Sequence, residues 1–274
     1  MAGAVGNWDH GAMRTKLPVD LTTARQNRLL AALPSAQLEH WLPQLELVDL
    51  HCGEVLCESG SIPTSVTFPV SAIVSLSYLT RDGAASEVGL VGNDGVVGIS
   101  VFMGGHGTPG RAVVQSAGQG LRLSAQVLKD TIKHASPVLL LLLRYAQSLI
   151  VQVVQTAACN RHHNIEQQLC RRLLMGLDRS HSSVVKLTHE AMAGLLGVRR
   201  ESITAAALRL RDAGVIRYRR GHIEVPDLRR LEPRSCECYA VASNEYQRLL
   251  PLPVPMPMRM PMPMPMRVPM PLAA

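Results

Sequence analysis

The chain has 274 residues, 47% of them hydrophobic and only 3% aromatic, with 28 lysines and arginines against 21 acids and a formal charge of +7. That length accommodates two modest cores, and the positive balance suits a polyanionic partner such as nucleic acid. No N-terminal stretch reads as a cleavable signal, and the most apolar run, Val138 to Leu143, is too short and too closely followed by Arg144, Gln147, Gln152 and Gln155 for a membrane span, so a cytoplasmic, membrane-free protein with reduced cysteines is expected.

Residues 1–20 show no periodicity and read as a disordered lead-in. Leu29, Leu30, Leu33, Leu38 and Leu42 then predict two short helices broken at Leu33-Pro34. Between 45 and 123 the texture changes to short apolar or β-branched runs at 45–50, 52–56, 65–70, 72–79, 87–91 and 111–115. Turn signals at Gly53, Gly60, Asp82-Gly83, Asn93-Asp94-Gly95 and Gly104-Gly105 space them as in an antiparallel sandwich or barrel.

Leu139, Leu143, Ala146, Ile150, Val153 and Ala157 recur at steps of three and four and predict a long helix, with Leu142, Leu149 and Thr156 flanking the stripe. A helix apolar on more than one side calls for a partner, and a coiled-coil-like homodimer contact is the direct solution; burial within its own domain is the alternative. Ile165, Leu169, Leu173, Leu174 and Leu177 mark the next helix. The alternating Pro-Met stretch from Pro251 to Ala274 denies helix and interior strand, and reads as an extended tail. Methionine capture of Cu(I) is the weaker reading of it against a passive tail.

Leu187 to Arg211 is the informative stretch. Thr188 is a good N-cap for a two-turn helix burying Ala191, Met192, Leu195 and Leu196, and Gly197 supplies a tight turn. A second helix begins near Arg199, with Ile203, Ala207, Leu208 and Leu210 inward and Arg199, Arg200, Glu201, Ser202 and Thr204 exposed at the end that a recognition helix inserts into a major groove. Gly214 to Val225 reads as a hairpin with a basic tip at Arg219 and Arg220, suited to phosphate. From Arg199 to Arg220 there are seven arginines against two acids, so positive charge concentrates here.

The order of these parts, from Arg25 to Val225, resembles the Crp/Fnr-type transcription regulators. The resemblance implies an α+β architecture: an N-terminal β jelly roll of the cyclic-nucleotide-binding kind (21–135), a long dimerisation helix (136–160) and a C-terminal winged helix-turn-helix (161–240), followed by a disordered tail (241–274). It also implies a homodimer on a two-fold related double-stranded DNA site, with RNA polymerase a candidate partner. Arg200 and Glu201 match the family's base-contacting pair, Thr188 a backbone-phosphate contact with His189 beside it, while the family's second reading arginine falls at Ala205, which cannot hydrogen-bond a base.

In the family's phosphate cassette, Ile99 stands where a ribose-binding glutamate is expected, between Gly98 and Ser100, and Arg111 is followed by Ala112 rather than serine. Cyclic AMP is therefore not the expected effector; another small molecule, or none, is. Cys52 and Cys57, Cys159 with His162-His163, and Cys236 with Cys238 read as packed residues, with no metal site and no cofactor. No arrangement suggests catalysis, so a non-enzyme is expected. The competing class is a small-molecule-binding module acting through a protein partner.

Overall fold

The computed structural model describes residues 18–250 except 82–84, 106, 134–136, 181 and 220. The lead-in through Leu17, the turn at Asp82-Gly83, the wing tip Arg220 and the tail from Pro251 lie outside the described residues. Three short helices open the chain rather than the two expected: α1 (Leu21–Arg25), α2 (Arg28–Ala31) and α3 (Ser35–Trp41). The extra break is made by Asn27. Its side-chain oxygen caps α2 at Leu29 and Leu30, and its amide donates to the carbonyls of Pro69 (2.8 Å) and Gly95 (2.9 Å), so a fully buried polar group has all its bonds made.

Seven strands follow: β1 (Glu46–Leu50), β2 (Val55–Cys57), β3 (Ser65–Pro69), β4 (Ile73–Leu79), β5 (Ala85–Val91), β6 (Gly110–Ser116) and β7 (Gly118–Ser124), with the short helix α4 (Ser100–Met103) between β5 and β6. They form two antiparallel sheets in the orders β1-β7-β3 and β2-β6-β4-β5. Val48, Leu50, Val74, Val91, Ala112 and Val114 fill the space between them, as in a jelly roll. Strand β7, absent from the expected set, is the centre of its sheet. Its Gly, Gln, Arg and Ser positions read as turn chemistry, whereas Leu121 and Leu123 are fully buried.

Helix α5 (Ala125–Ile132), capped by Ser124, leads to α6 (Pro137–His162). Val138, Leu142, Tyr145, Leu149, Gln152, Thr156 and Cys159 are the buried seam of α6, at steps of four and three. The residues expected to flank the stripe thus face inward, with Ala146 of the stripe itself, because the barrel and the chain's own C-terminal helix cover them. Tyr145 donates to the carbonyl of Val96 (3.2 Å), and Gln152 bridges the N–H and C=O of Leu90. Gly95 lets the Tyr145 ring approach: a Cβ there would meet the phenol oxygen at 2.3 Å.

Helix α7 (Ile165–Asp178) starts in a capping box of Asn164 and Gln167. It is fastened to the barrel by buried ion pairs, Arg172 with Glu87 and Arg179 with Asp94 (2.9 Å). After it come β8 (Val184–Lys186), α8 (His189–Leu196), α9 (Arg200–Asp212), β9 (Arg217–Arg219), β10 (His222–Glu224) and α10 (Leu228–Leu231), the strands ordered β8-β10-β9. Leu169, Leu173, Met192, Ile203, Leu210 and Ile223 belong to their core, which also takes in Ile73 and Leu90 from the barrel.

Residues 241–249, expected as tail, are helical. Helix α11 (Glu237–Leu249) places Tyr239 in the helix-turn-helix core and Leu249 and Leu250 in the core of the first domain. It therefore runs antiparallel to α6, back toward the barrel, where the Tyr246 hydroxyl donates to the carbonyl of Asp94 (2.7 Å). The spacing of Tyr239, Ala242, Tyr246 and Leu249 carries the helical period that the neighbouring Pro-Met composition masked.

Candidate nucleic-acid interface

Thr188 accepts from the N–H of Ala191 (3.1 Å) and caps α8, leaving its hydroxyl hydrogen to donate outward. Gly197 ends α8 in the left-handed conformation at φ 66°, which reverses the chain within three residues so that α9 can begin at Arg200. Met192, Ala193 and Leu196 are the fully buried face of α8, and Ile203, Ala206, Ala207 and Leu210 that of α9. Ala191 and Leu208, expected inside, are exposed. The register of each helix is set by the three-helix core rather than by hydrophobicity alone.

At the start of α9, Arg199, Arg200 and Glu201 are exposed and Ser202 is half-buried. Arg200 lies 3.8 Å from Glu190 in a pair with both side chains largely in solvent, a contact weak enough for a stronger anion to displace. Ala205 is exposed one turn along, a patch without hydrogen-bonding capacity. Thr204 is turned to internal use: its hydroxyl donates to the carbonyl of Arg200 (3.0 Å) and meets His189 Nδ1 at 3.1 Å. His189 in turn stacks on Tyr218 of the wing, ring centroids 4.2 Å apart. Burial, with Arg200 adding to it, holds the His189 pKa below its ordinary value, so the ring stays neutral.

Arg219 is exposed on the wing strand β9. Arg209, counted from the sequence with the basic face, points the other way: it and Arg234 share Glu166 of α7 at 2.9 and 3.1 Å, and together they hold that carboxyl below the usual range. Arg211 pairs with Asp212 (2.8 Å). Among the described residues, the cationic side chains left toward solvent at the start of α9 and on the wing are thus Arg199, Arg200, Arg219 and Arg217, the last in a loose pair with Glu224 at 3.7 Å.

The expected effector residues are partly assembled. Gly98, Ile99, Arg111 and Ala112 line a cavity of about 290 Å³ between the barrel and α6, whose other walls include Leu76 and Val153. Ser100 does not line it; that residue is buried at the start of α4. Arg111 gives its Nε to Glu58 (3.2 Å), and apolar side chains make most of the rest. The cysteines read from sequence as separately packed are, in three cases, together: Cys159, Cys236 and Cys238 meet His163 where α6 ends and α11 begins. Ligand atoms more than seventy residues apart leave no spacing to read; the traces were Cys-x-x-x-His and Cys-x-Cys, neither specific alone.

Residues 167–234 match the Crp-like helix-turn-helix domain. No curated protein matches the chain in sequence. Among solved structures, one from Eubacterium rectale ATCC 33656 assigned to the Crp/Fnr family of transcriptional regulators is 18% identical, with a TM-score of 0.59, covering 76% of this chain and 98% of its own. A CRP-family transcriptional regulator of Thermus thermophilus is 18% identical over 69% of this chain and 96% of its own, TM-score 0.58. FixK2 of Bradyrhizobium japonicum is 14% identical over 70% and 98%, TM-score 0.59. Residues 167–234 are thus a Crp-like helix-turn-helix domain, and the chain around them has the fold of the Crp/Fnr transcription regulators.

Proposed function

We propose that the chain is a cytoplasmic, homodimeric transcription regulator that reads an inverted-repeat DNA site with the first turn of α9. The observation that carries this reading is the exposure of Arg199, Arg200 and Glu201 together at the N-terminal end of the second helix of the motif. Arginine suits guanine and glutamate suits the cytosine amino group, while the hydroxyl of Thr188 and the guanidinium of Arg219 suit phosphates. His189 and Thr204 hold α8, α9 and the wing in register and act on DNA through that geometry.

A second copy is the partner for α6. Leu140, Leu143, Ile150 and Val154 remain exposed on it, with Gln147 and Ala157 continuing the same steps of three and four. That is the line along which two helices interdigitate. The helix is long and apolar enough to cross a membrane, with a mean hydropathy of 1.7, but its opposite face is occupied by the barrel and α11. The cavity over α6, with Ile99 in its wall and Arg111 engaged by Glu58, suits an apolar effector better than a cyclic nucleotide.

Selection from a randomised duplex library tests the reading. The expected product is an inverted repeat, with Arg200→Ala relaxing one position of each half-site at a cost of about 1–3 kcal/mol. Arg219→Ala weakens all sequences alike and lowers the salt slope by about one. Failure to enrich any sequence sinks the proposal, and saturable stabilisation by cyclic nucleotides without DNA affinity supports the binding module instead.

A further inference from the structure

Cys159, Cys236 and Cys238 form a buried cluster of their own, 0%, 5% and 3% exposed, apart from the main cores. With His163 they offer four ligand atoms that all lie within 4.8 Å of one another. Cys159 Sγ and Cys236 Sγ are 3.5 Å apart, and Cys238 Sγ is 3.6 Å from His163 Nδ1. A tetrahedral ion with metal–sulfur bonds of about 2.3 Å and a metal–nitrogen bond of about 2.1 Å requires edges of about 3.8 Å between sulfurs and about 3.6 Å between sulfur and nitrogen. These two pairs stand close to that spacing, and the remaining pairs lie within 4.8 Å.

We propose that Cys159, His163, Cys236 and Cys238 are a structural Cys3His site for one zinc ion, joining the end of α6 to the start of α11. Four further features fit the site. Cys159 is in the last turn of α6 and the N–H of His163, just past its end, still bonds the Cys159 carbonyl (3.0 Å), so that turn presents both. Cys236 occupies the N-cap of α11 without a side-chain capping bond. His163 Nε2 is 3.3 Å from Glu237 Oε1, the outer carboxylate that fixes a ligating imidazole with its other nitrogen toward the metal. Arg171, 3% exposed, has a buried Nε with no partner and bonds Thr156 through Nη2 (2.8 Å).

Arg171 balances the charge. Three thiols lose their protons on binding, so a dipositive ion with three thiolates and a neutral imidazole leaves one net negative charge, which the guanidinium neutralises. Burial works against the charge on Arg171, and the sulfurs of Cys159, Cys238 and Cys236 work for it. Four protein ligands close the coordination sphere, which makes the site structural and not catalytic. Four donors this close enclose a single ion and leave no room for an iron–sulfur cluster.

The test uses the full chain purified under reducing conditions without chelator. Elemental analysis is expected to find one zinc per chain, and Co(II) replacement to give the intense visible bands and near-ultraviolet charge transfer of tetrahedral thiolate coordination. Cys236→Ser with Cys238→Ser should lower zinc affinity by about tenfold or more, whereas Cys52→Ser, outside the cluster, should not change it. If the double variant does not fold, His163→Cys retains four donors and should strengthen the Co(II) charge-transfer band. Protein that takes up no zinc from a stoichiometric supply, an octahedral Co(II) spectrum, or a Cys159–Cys236 disulfide trapped from freshly lysed cells would each overturn the site.

Discussion

His189 joins three elements through two contacts, the Thr204 hydroxyl and the Tyr218 ring. Thr204 gives its own hydrogen to the Arg200 carbonyl, so Nδ1 is the donor, and Nε2 is buried without a partner among the described residues, where a second ring proton would go unmet. Its folded pKa lies below the ordinary 6.5, with burial the larger cause and Arg200 the smaller. The unfolded chain takes up the proton first as pH falls, so the stability this residue contributes is complete above 6.5 and lost as pH drops through the folded value. The melting difference between His189→Gln and the parent is therefore expected to be constant well above that pH and to move in the variant's favour below it; a pH-independent difference would count against this account. Thr188, Gly197 and the Arg-Arg-Glu run were readable because capping, turn and exposure at a helix start are local properties. The bond between His189 and Thr204 was not, since it crosses from α8 to α9 and turns two apparent DNA-facing groups inward.

Among the elements, α6 carries two seams on one helix. The inner one from Val138 to Cys159 faces the barrel and α11, and the outer one through Leu143, Ile150 and Val154 faces solvent. Ile150→Asp changes an exposed residue, so the fold should be retained while the second copy is lost; sedimentation should report a species of 29.8 kDa in place of one twice that mass. An unchanged sedimentation mass would remove α6 from the dimer interface. The periodicity announced this helix and its need for a partner, but apolar residues on more than one side left open which seam the barrel takes. Strands β1 to β6 were legible from apolar or β-branched runs between turns, β2 with its start three residues later than the run at 52–56. Strand β7 was not, because a central strand contacted on both edges tolerates glycine and glutamine when its leucines supply the burial.

For the whole molecule, the two cores are held together by charge that is out of water. Arg172 and Glu87 are 2% and 6% exposed; the guanidinium bonds both carboxylate oxygens, and a third bond reaches Gln115. Arg172→Met leaves the Glu87 carboxylate buried and alone, and is expected to cost about 3–5 kcal/mol in chemical denaturation, while adding Glu87→Leu should recover most of the loss. If the double variant is no more stable than the single one, the pair is not the source of the cost. Nothing in the spacing of residues 87 and 172 signals this pair; it exists because the helix-turn-helix core closes on β5 through Leu90 and α8, which brings Arg172 to Glu87.

Helix α11 alters how the DNA-binding unit is attached. The chain leaves the barrel along α6 and returns to it along α11, with Leu249 and Leu250 in the same core as Val138 and Leu142. The helix-turn-helix is therefore held by two polypeptide crossings, one at His162 to Ile165 and one at Ser235 to Glu237, and not by a single tether. A body on one tether swivels freely; a body on two adjacent tethers turns only about the line that joins them. Cys159 and His163 lie at one crossing, Cys236 and Cys238 at the other, so the four side chains sit on that axle, and whatever joins them sets how stiffly it turns.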